Sequence, residues 1–413
     1  MFYRKIIISL LFCCLAVPLF GASMFSPNGF VEEHFGADSF GSGMGFTGIS
    51  SIFRKNFSII NPALLTTVNK ANFSTQIDFG YTYFKDSNNS YTNKVSSIPY
   101  AAMYVPVAKG TVLGISYLEK YYFGLDTALD SVGIVGEYEV KDQKFGSLNQ
   151  LGFYLAKRIG VFGLGVNVNY IFGSRIEDLY VDYSDTDMID TREIKGFLMD
   201  GVNFSLGFTF PYKAFSFGGF IQTAVKLHSE DTYKVEYYSN SNYDYTSSTT
   251  SKYDIPMQTG LGIGMEVTDY LYAETNLRYT FWKDTNIATM NYRNTSMVSL
   301  GFSYTPKKDF FWKIPMRIGG YYRQLSCKHN GNYIDEKAIT AGFDIPIMLL
   351  NQGRLSVSLA YGTRGSIDKN IYQDEFLRIS FGFASTDWWR NPKRYKKDKE
   401  IPKLDPKYKE YWN

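Results

Sequence analysis

Three histidines, His34, His228 and His329, are the only imidazoles in a chain of 413 residues, so acid–base chemistry at neutral pH has few places to sit. His228 stands three residues before Asp231, and His329 lies near Ser326 and Asp335. Serine, histidine and aspartate can form a hydrolytic relay when a fold gathers them, but no local nucleophile motif surrounds either histidine. His34 falls in an N-terminal stretch without a nucleophile beside it. These residues argue against an enzyme.

Metal binding is the second chemistry to weigh. Residues 175–195 carry Glu177, Asp178, Asp182, Asp185, Asp187, Asp190 and Glu193. A calcium loop of the EF-hand kind needs a turn glycine and a distal bidentate glutamate, and Asp185, Asp187 and Asp190 have neither. A solvated acidic loop is expected there, with no metal and no cofactor. The tract Tyr237 to Ser251 is mostly Tyr, Ser, Asn and Thr, adaptable polar residues that suit an exposed loop.

The elements that must carry these residues are strands. Phe162, Leu164, Val166, Val168, Tyr170 and Phe172 alternate with Gly163, Gly165, Asn167, Asn169 and Gly173. Successive strand side chains point to opposite sides, so this segment has one greasy face and one small polar face. Similar runs recur at 72–85, 96–108, 110–123, 145–157, 161–174, 196–210, 214–228, 256–268, 270–284, 294–305, 313–326, 336–348, 353–363 and 373–384. An even set of about fourteen, with large aromatics on the apolar face, predicts an all-β fold: a transmembrane antiparallel barrel with lipid outside and a watery lumen. Aromatic content of 17% suits interfacial girdles. Links of two to four residues, such as Ala108-Lys109-Gly110 and Thr268-Asp269, alternate with longer ones at 86–95, 124–144, 175–195 and 229–255. Short periplasmic turns and long outer loops give that rhythm, and it places the first strand's start in the periplasm.

The two ends differ from the strands. Arg4 and Lys5, the apolar run Ile6 to Leu19 and the small residues Gly21-Ala22-Ser23 read as a Sec signal peptide over residues 1–23, which directs the chain to a Gram-negative-type outer membrane. Removal of Cys13 and Cys14 with the signal leaves Cys327 alone, so strand pairing rather than a disulfide must hold the fold. Residues 385–413 form a basic tail with Arg390, Lys393, Arg394, Lys396, Lys397 and Lys399, placed in the periplasm either as a docking strip for a partner or anionic surface there or as a solvated extension. A net charge of +3 is too small to argue for nucleic acid.

Residues 24–71 do not alternate. They contain Gly36, Gly41, Gly43, Gly45 and Gly48, then Asn61-Pro62-Ala63-Leu64-Leu65-Thr66. Asn caps helices well and Pro suits the first helical position, so a short capped helix is predicted from Pro62 to about Val68. A barrel of this size encloses more space than its own side chains fill, and a compact N-terminal hatch would plug it.

The stretch Ser39-Phe40-Gly41-Ser42-Gly43-Met44-Gly45-Phe46 through Asn61-Pro62-Ala63-Leu64 to Phe73-Ser74 resembles the start of FadL-type outer-membrane transporters. The resemblance implies a fourteen-stranded barrel over 72–384 plugged by a hatch whose motif residues here are Gly43, Gly45, Asn61, Pro62 and Ala63. It also implies uptake of fatty-acid-like hydrophobic small molecules, released sideways through the wall into outer-membrane lipid. Short outer loops, the acidic 175–195 link and the basic tail depart from the family pattern. A lateral gap needs broken backbone pairing, and Pro99 and Pro106 in the second strand cannot donate to a ladder. With Gly110 and Gly114 beside them, they mark the seam of strands two and three as the expected exit. Asp78, Lys226, Glu266, Glu274, Arg278, Arg317, Arg323, Asp344 and Arg378 are expected to face the lumen, where they would hold Glu32, Glu33, Arg54 and Lys55 of the hatch. Two other roles fit such a barrel: protein secretion or surface attachment of the PorV type, and a general polar-solute porin.

Overall fold

The structure is a computed structural model. It describes residues 23–26, 30–54, 58–88, 90–133, 136–185, 188–238, 243–285, 292–306, 314–347 and 353–386. Residues 1–22 of the expected signal (1–23) and residues 387–413 of the expected tail (385–413) lie outside the described residues, as do Asp187 and Lys55.

Alternating side chains produce fourteen antiparallel strands. They are β1 Asn72–Lys85, β2 Ser90–Ala108, β3 Thr111–Gly133, β4 Gly136–Ile159, β5 Phe162–Tyr183 and β6 Thr191–Tyr212. Two interrupted strands follow, β7 as Phe215–Gln222 and Val225–Tyr237, and β8 as Tyr245–Ile255 and Gln258–Thr268. The remainder are β9 Leu271–Thr280, β10 Thr295–Tyr304, β11 Met316–His329, β12 Asn332–Ile347, β13 Gly353–Gly365 and β14 Gln373–Thr386. Each pairs with the next, and β14 pairs with β1 from Gln373–Lys85 to Thr386–Asn72, which closes the barrel. Ser385 and Thr386, placed in the tail by sequence, finish the last strand.

The two faces separate as alternation requires. Val166 is 43% exposed on the outer wall, whereas Asn167 and Asn169 are 4% and 0% exposed on the inner one. Asn169 joins Gln150, Asn167 and Asn203 in a ladder of side-chain amides with contacts of 2.8–3.0 Å. The outer wall is an apolar belt that includes Leu206, Leu261, Ile318, Ile339 and Leu359. Such a belt is far larger than a soluble monomer leaves to water. Tyr81, Tyr83 and Tyr361 border it at one end and Tyr212, Phe215 and Tyr304 at the other.

Three long links expected as loops are strands instead. β3 to β6 run for 22 to 24 residues, about twice what a bilayer crossing needs. The β3–β4 hairpin pairs up to Gly133–Gly136, β5–β6 up to Val181–Thr191, and β7–β8 up to Val235–Tyr245. Beyond the buried Leu125, Asp178 and Ser229 at their bases, both faces are wet, so apolar alternation vanishes and ion pairs between residues two apart on one face replace it. Lys141 meets Glu139 at 2.8 Å, Lys144 meets Asp142 at 3.0 Å and Lys195 meets Glu193 at 2.7 Å. Arg192 bridges the β5–β6 hairpin to both oxygens of Asp178, a contact that raises its pKa. The link expected at 86–95 also shrinks, because β2 starts at Ser90.

The interruptions in β7 and β8 sit side by side at Thr223-Ala224 and Pro256-Met257. Pro256 has no N–H for the ladder. Thr223 compensates, donating its N–H to the Phe204 carbonyl at 2.9 Å and accepting the Phe204 N–H on its hydroxyl at 3.1 Å. The inserted residues reverse which side chains face inward: Ser216 and Gly218 are buried before the break, Val225, Leu227 and Ser229 after it. Lys226 therefore points outward, contrary to the expectation that it faces the lumen.

Candidate functional site

The N-terminal segment lies against the inner wall, and small inner-wall residues make the seat. Asn61 caps a 3-10 helix, Pro62–Thr67, by accepting the Ala63 N–H at 3.0 Å. Its amide donates to the carbonyls of Ile49 at 2.8 Å and Phe208 of β6 at 3.0 Å. A Cβ added to Gly207 would lie 2.1 Å from the Asn61 side chain, and one on Gly165 would lie 2.4 Å from the Pro62 backbone. The small inner face therefore admits a second layer of backbone here rather than water. Gly165→Val should push the helix off the wall and destabilise the fold by about 1–3 kcal/mol as an overpacked contact. Limited proteolysis in detergent checks this, with cleavage between residues 50 and 70 as the expected result.

The glycine-rich loop serves one carboxylate. Backbone N–H groups of Gly48, Ile49 and Ser50 all donate to Glu274 Oε1 of β9, at 3.1, 3.0 and 3.0 Å. Tyr272 donates to its other oxygen at 3.0 Å, and the Ser51 hydroxyl donates there too. Consecutive backbone amides form an anion nest, and here the anion belongs to the barrel wall. Gly45, in left-handed conformation at φ 71°, donates to Thr340 at 2.7 Å, and its missing Cβ would strike the Gly320 backbone at 2.6 Å. Gly43 rests on Gly342. Arg278 donates to the Phe35 and Phe46 carbonyls at 3.2 and 2.9 Å. Phe40 lies under the guanidinium groups of Arg317 and Arg354, 4.6 and 5.3 Å from its ring centre. Arg317 pairs with Asp344 at 2.7 Å, and Arg54 with Glu266 at 3.0 Å.

Toward the tall hairpins these contacts become a buried ionic cluster. Glu336 accepts from Arg323 at 2.9 and 2.8 Å, from Arg364 at 2.6 Å and from Tyr321 at 2.6 Å. Arg364 also holds Glu32, which Arg378 approaches at 3.4 Å. Arg323 reaches the Val31 carbonyl at 2.9 Å, and Glu33 pairs with Lys120 at 2.7 Å. Burial pushes the Glu32 carboxyl up, but Arg364 and Arg378 outweigh it and leave its pKa below the usual range.

The β2–β3 ladder runs from Ala108–Thr111 to Tyr100–Leu118. Among the described residues, Ser90–Ser97 pairs only with β1, Ile98 and Pro99 have no rung on either side, and β3 beyond Leu118 pairs with β4 and with the segment's Glu32–Glu33. Pro99 stands immediately past the last rung, where its missing N–H cannot make another. Pro99 belongs to the irregularity opposite Ile77 of β1, and a second lies at Lys120 on β3. Glu32 and Glu33 take up part of the freed β3 edge opposite Tyr122 and Tyr121. A cleft opens beside them, lined by Val95, Ser97, Tyr122 and Leu377 together with Glu32 and Arg378. Of the other residues expected at the seam, Pro106 and Gly114 lie in the paired half, and Gly110 occupies the turn at φ 67°. Gly114 makes room for Tyr104 and for Leu65 of the 3-10 helix.

The histidines sit apart from hydrolytic geometry. His228 points outward while Asp231 accepts from Ser229 and Tyr253 on the other face. His329 packs between Phe25 and Tyr372, at 5.7 and 5.2 Å between ring centres. Asp335 is taken by Arg293. His34 pairs with Glu119 at 3.3 Å beside the cleft. Glu336, Arg364 and Asp374 were not singled out from sequence; their inward positions follow from strand parity, but no motif marks them.

A protein-family model described as BamG matches residues 2–396. Solved structures share the fold across nearly the whole chain. A Pseudomonas aeruginosa FadL homologue is 13% identical with a TM-score of 0.62, covering 89% of this chain and 100% of its own. The Pseudomonas putida toluene transporter TodX is 13% identical with a TM-score of 0.61, covering 86% and 99%. The Ralstonia pickettii toluene transporter TbuX is 14% identical with a TM-score of 0.57, covering 85% and 98%. No curated protein sequence matches the chain.

Proposed function

This chain belongs to the BamG family, and we propose that it acts in the outer membrane as a channel for small hydrophobic molecules, plugged along its axis and open sideways. Residues 24–71 act as the plug and residues 72–386 as the channel wall, with the basic tail in the periplasm. The observation that carries this reading is the end of the β2–β3 ladder at Tyr100–Leu118, beside a cleft that reaches both the N-terminal segment and the wall. Transporters of toluene share the fold, which supports an apolar cargo. The cleft itself is mixed: Val95, Tyr122 and Leu377 suit an apolar chain, Arg378 and Ser97 a polar end. The cargo is accordingly an amphiphile rather than a bare hydrocarbon. Leaving sideways keeps its apolar part out of water, where exposure costs about 0.8 kcal/mol per methylene.

A second reading has the barrel hold a protein partner, as PorV-type components do. It draws on the tall polar hairpins of β3 to β8, which rise well past the apolar belt. The polar-solute porin is the weakest reading, because the proposed plug would close the axis. Native mass spectrometry of the protein extracted from its own membrane separates these roles. A bound amphiphile of a few hundred daltons is the expected result. A stoichiometric protein partner with no small molecule would overturn the transport reading in favour of the second.

A further inference from the structure

The first described residues are anchored among the tall hairpins. Ser23 is fully buried and donates its hydroxyl to Asp374 Oδ2 at 2.6 Å. Phe25, also fully buried, fills the space that a Cβ on Gly365 would take, and meets His329 edge-on. Asp374 has no exposure at all. Its Oδ2 also faces Arg364 at 3.4 Å, and the Met24 N–H is turned toward the carboxylate. Arg364, however, is committed more closely to Glu336 and Glu32. Asp374 Oδ1 has no hydrogen-bond partner among the described residues.

A buried carboxylate oxygen without a donor is costly, and native proteins hold few of them. The neighbouring chain can supply one. The signal read from sequence ends at Ser23, but Ser23 is buried against Asp374, which moves the boundary one residue back, to the small residue Ala22. We infer that signal removal cuts between Ala22 and Ser23, and that the new α-ammonium of Ser23 becomes the charge partner of Asp374. A signal peptidase adds one water across that peptide bond: Ala22 leaves with the new carboxylate, and the Ser23 nitrogen takes a proton. That nitrogen is three bonds from the hydroxyl oxygen already touching Asp374, so it lies in the same neighbourhood. An amide there offers one donor and no charge; the ammonium offers three donors and a full one. The barrel's rim is then completed only in the processed chain.

The inference rests on export, and the test separates the two. Intact mass of the protein purified from membranes should begin at Ser23; an uncut chain would overturn export itself, and a cut elsewhere would overturn this site. Labelling of the folded protein's N-terminus with an amine-reactive ester at neutral pH should be at least tenfold slower than in Asp374→Asn. A second variant, with two alanines inserted before Ser23 after the cleavage point, keeps Asp374 and moves the amine away. It should label as fast as Asp374→Asn, and it carries the comparison if that variant does not fold. Equal labelling in the unaltered protein and the insertion variant would overturn the ion pair.

Discussion

Glu336→Ala should loosen the N-terminal segment more than any other single change in the wall. Glu336 is buried and accepts from Arg323, Arg364 and Tyr321 at once. Removing it strands two guanidinium groups in a site with little water, and breaking a buried pair of this kind costs about 3–5 kcal/mol. The loss falls on the docking of residues 23–33, because those two arginines hold Glu32 and the Val31 carbonyl. The fourteen-strand ladder does not depend on them. The expected outcome is a protein that still resists proteolysis in its barrel but is cut rapidly before residue 60, with an unfolding midpoint in urea shifted down. Glu336→Gln, which keeps the shape and loses the charge, should fall between. An unchanged cleavage pattern in both variants would show that the cluster does not hold the segment.

The barrel was legible because one face of each spanning strand had to be greasy. Phe162 through Phe172 announces its register without ambiguity, and Val166 and Asn169 lie on the expected faces. The tall hairpins were not legible by that signal, since neither face is buried in lipid or core. Their own signal is charge at spacing two, as in Glu139–Lys141 and Asp142–Lys144. Lys226 was misplaced because a paired interruption, marked only by Pro256 in one strand, reverses parity in both. Inner-face glycines read as water-facing, yet Gly165 and Gly207 sit flush against Pro62 and Asn61. Small residues on a barrel's inner face look the same whether water or backbone lies on them. The choice of Glu274 for the backbone nest also had no sequence mark, because any inward carboxylate would have read alike.

Sideways release predicts the other large effect, a loss of uptake on tethering β2 to β3 across the cleft. Ser97 and Tyr122 line it from opposite strands beyond the last ladder rung. A Ser97→Cys, Tyr122→Cys pair joined by a short reducible bis-thiosulfonate closes the opening without touching the paired half around Pro106 and Gly114. Cys327 is buried and can stay. Tethering leaves the axis of the barrel as it was, so a cargo that ran straight through would not notice it. Restoring the free thiols must restore uptake if the opening is the route.

The decisive measurement is uptake of a labelled long-chain fatty acid, the probe amphiphile, by cells carrying the double-cysteine barrel, before tethering, after it and after reduction. Sideways release predicts at least a tenfold fall on tethering and recovery on reduction, with the barrel folded throughout. Uptake unchanged in a population that mass spectrometry finds fully cross-linked would contradict release between β2 and β3.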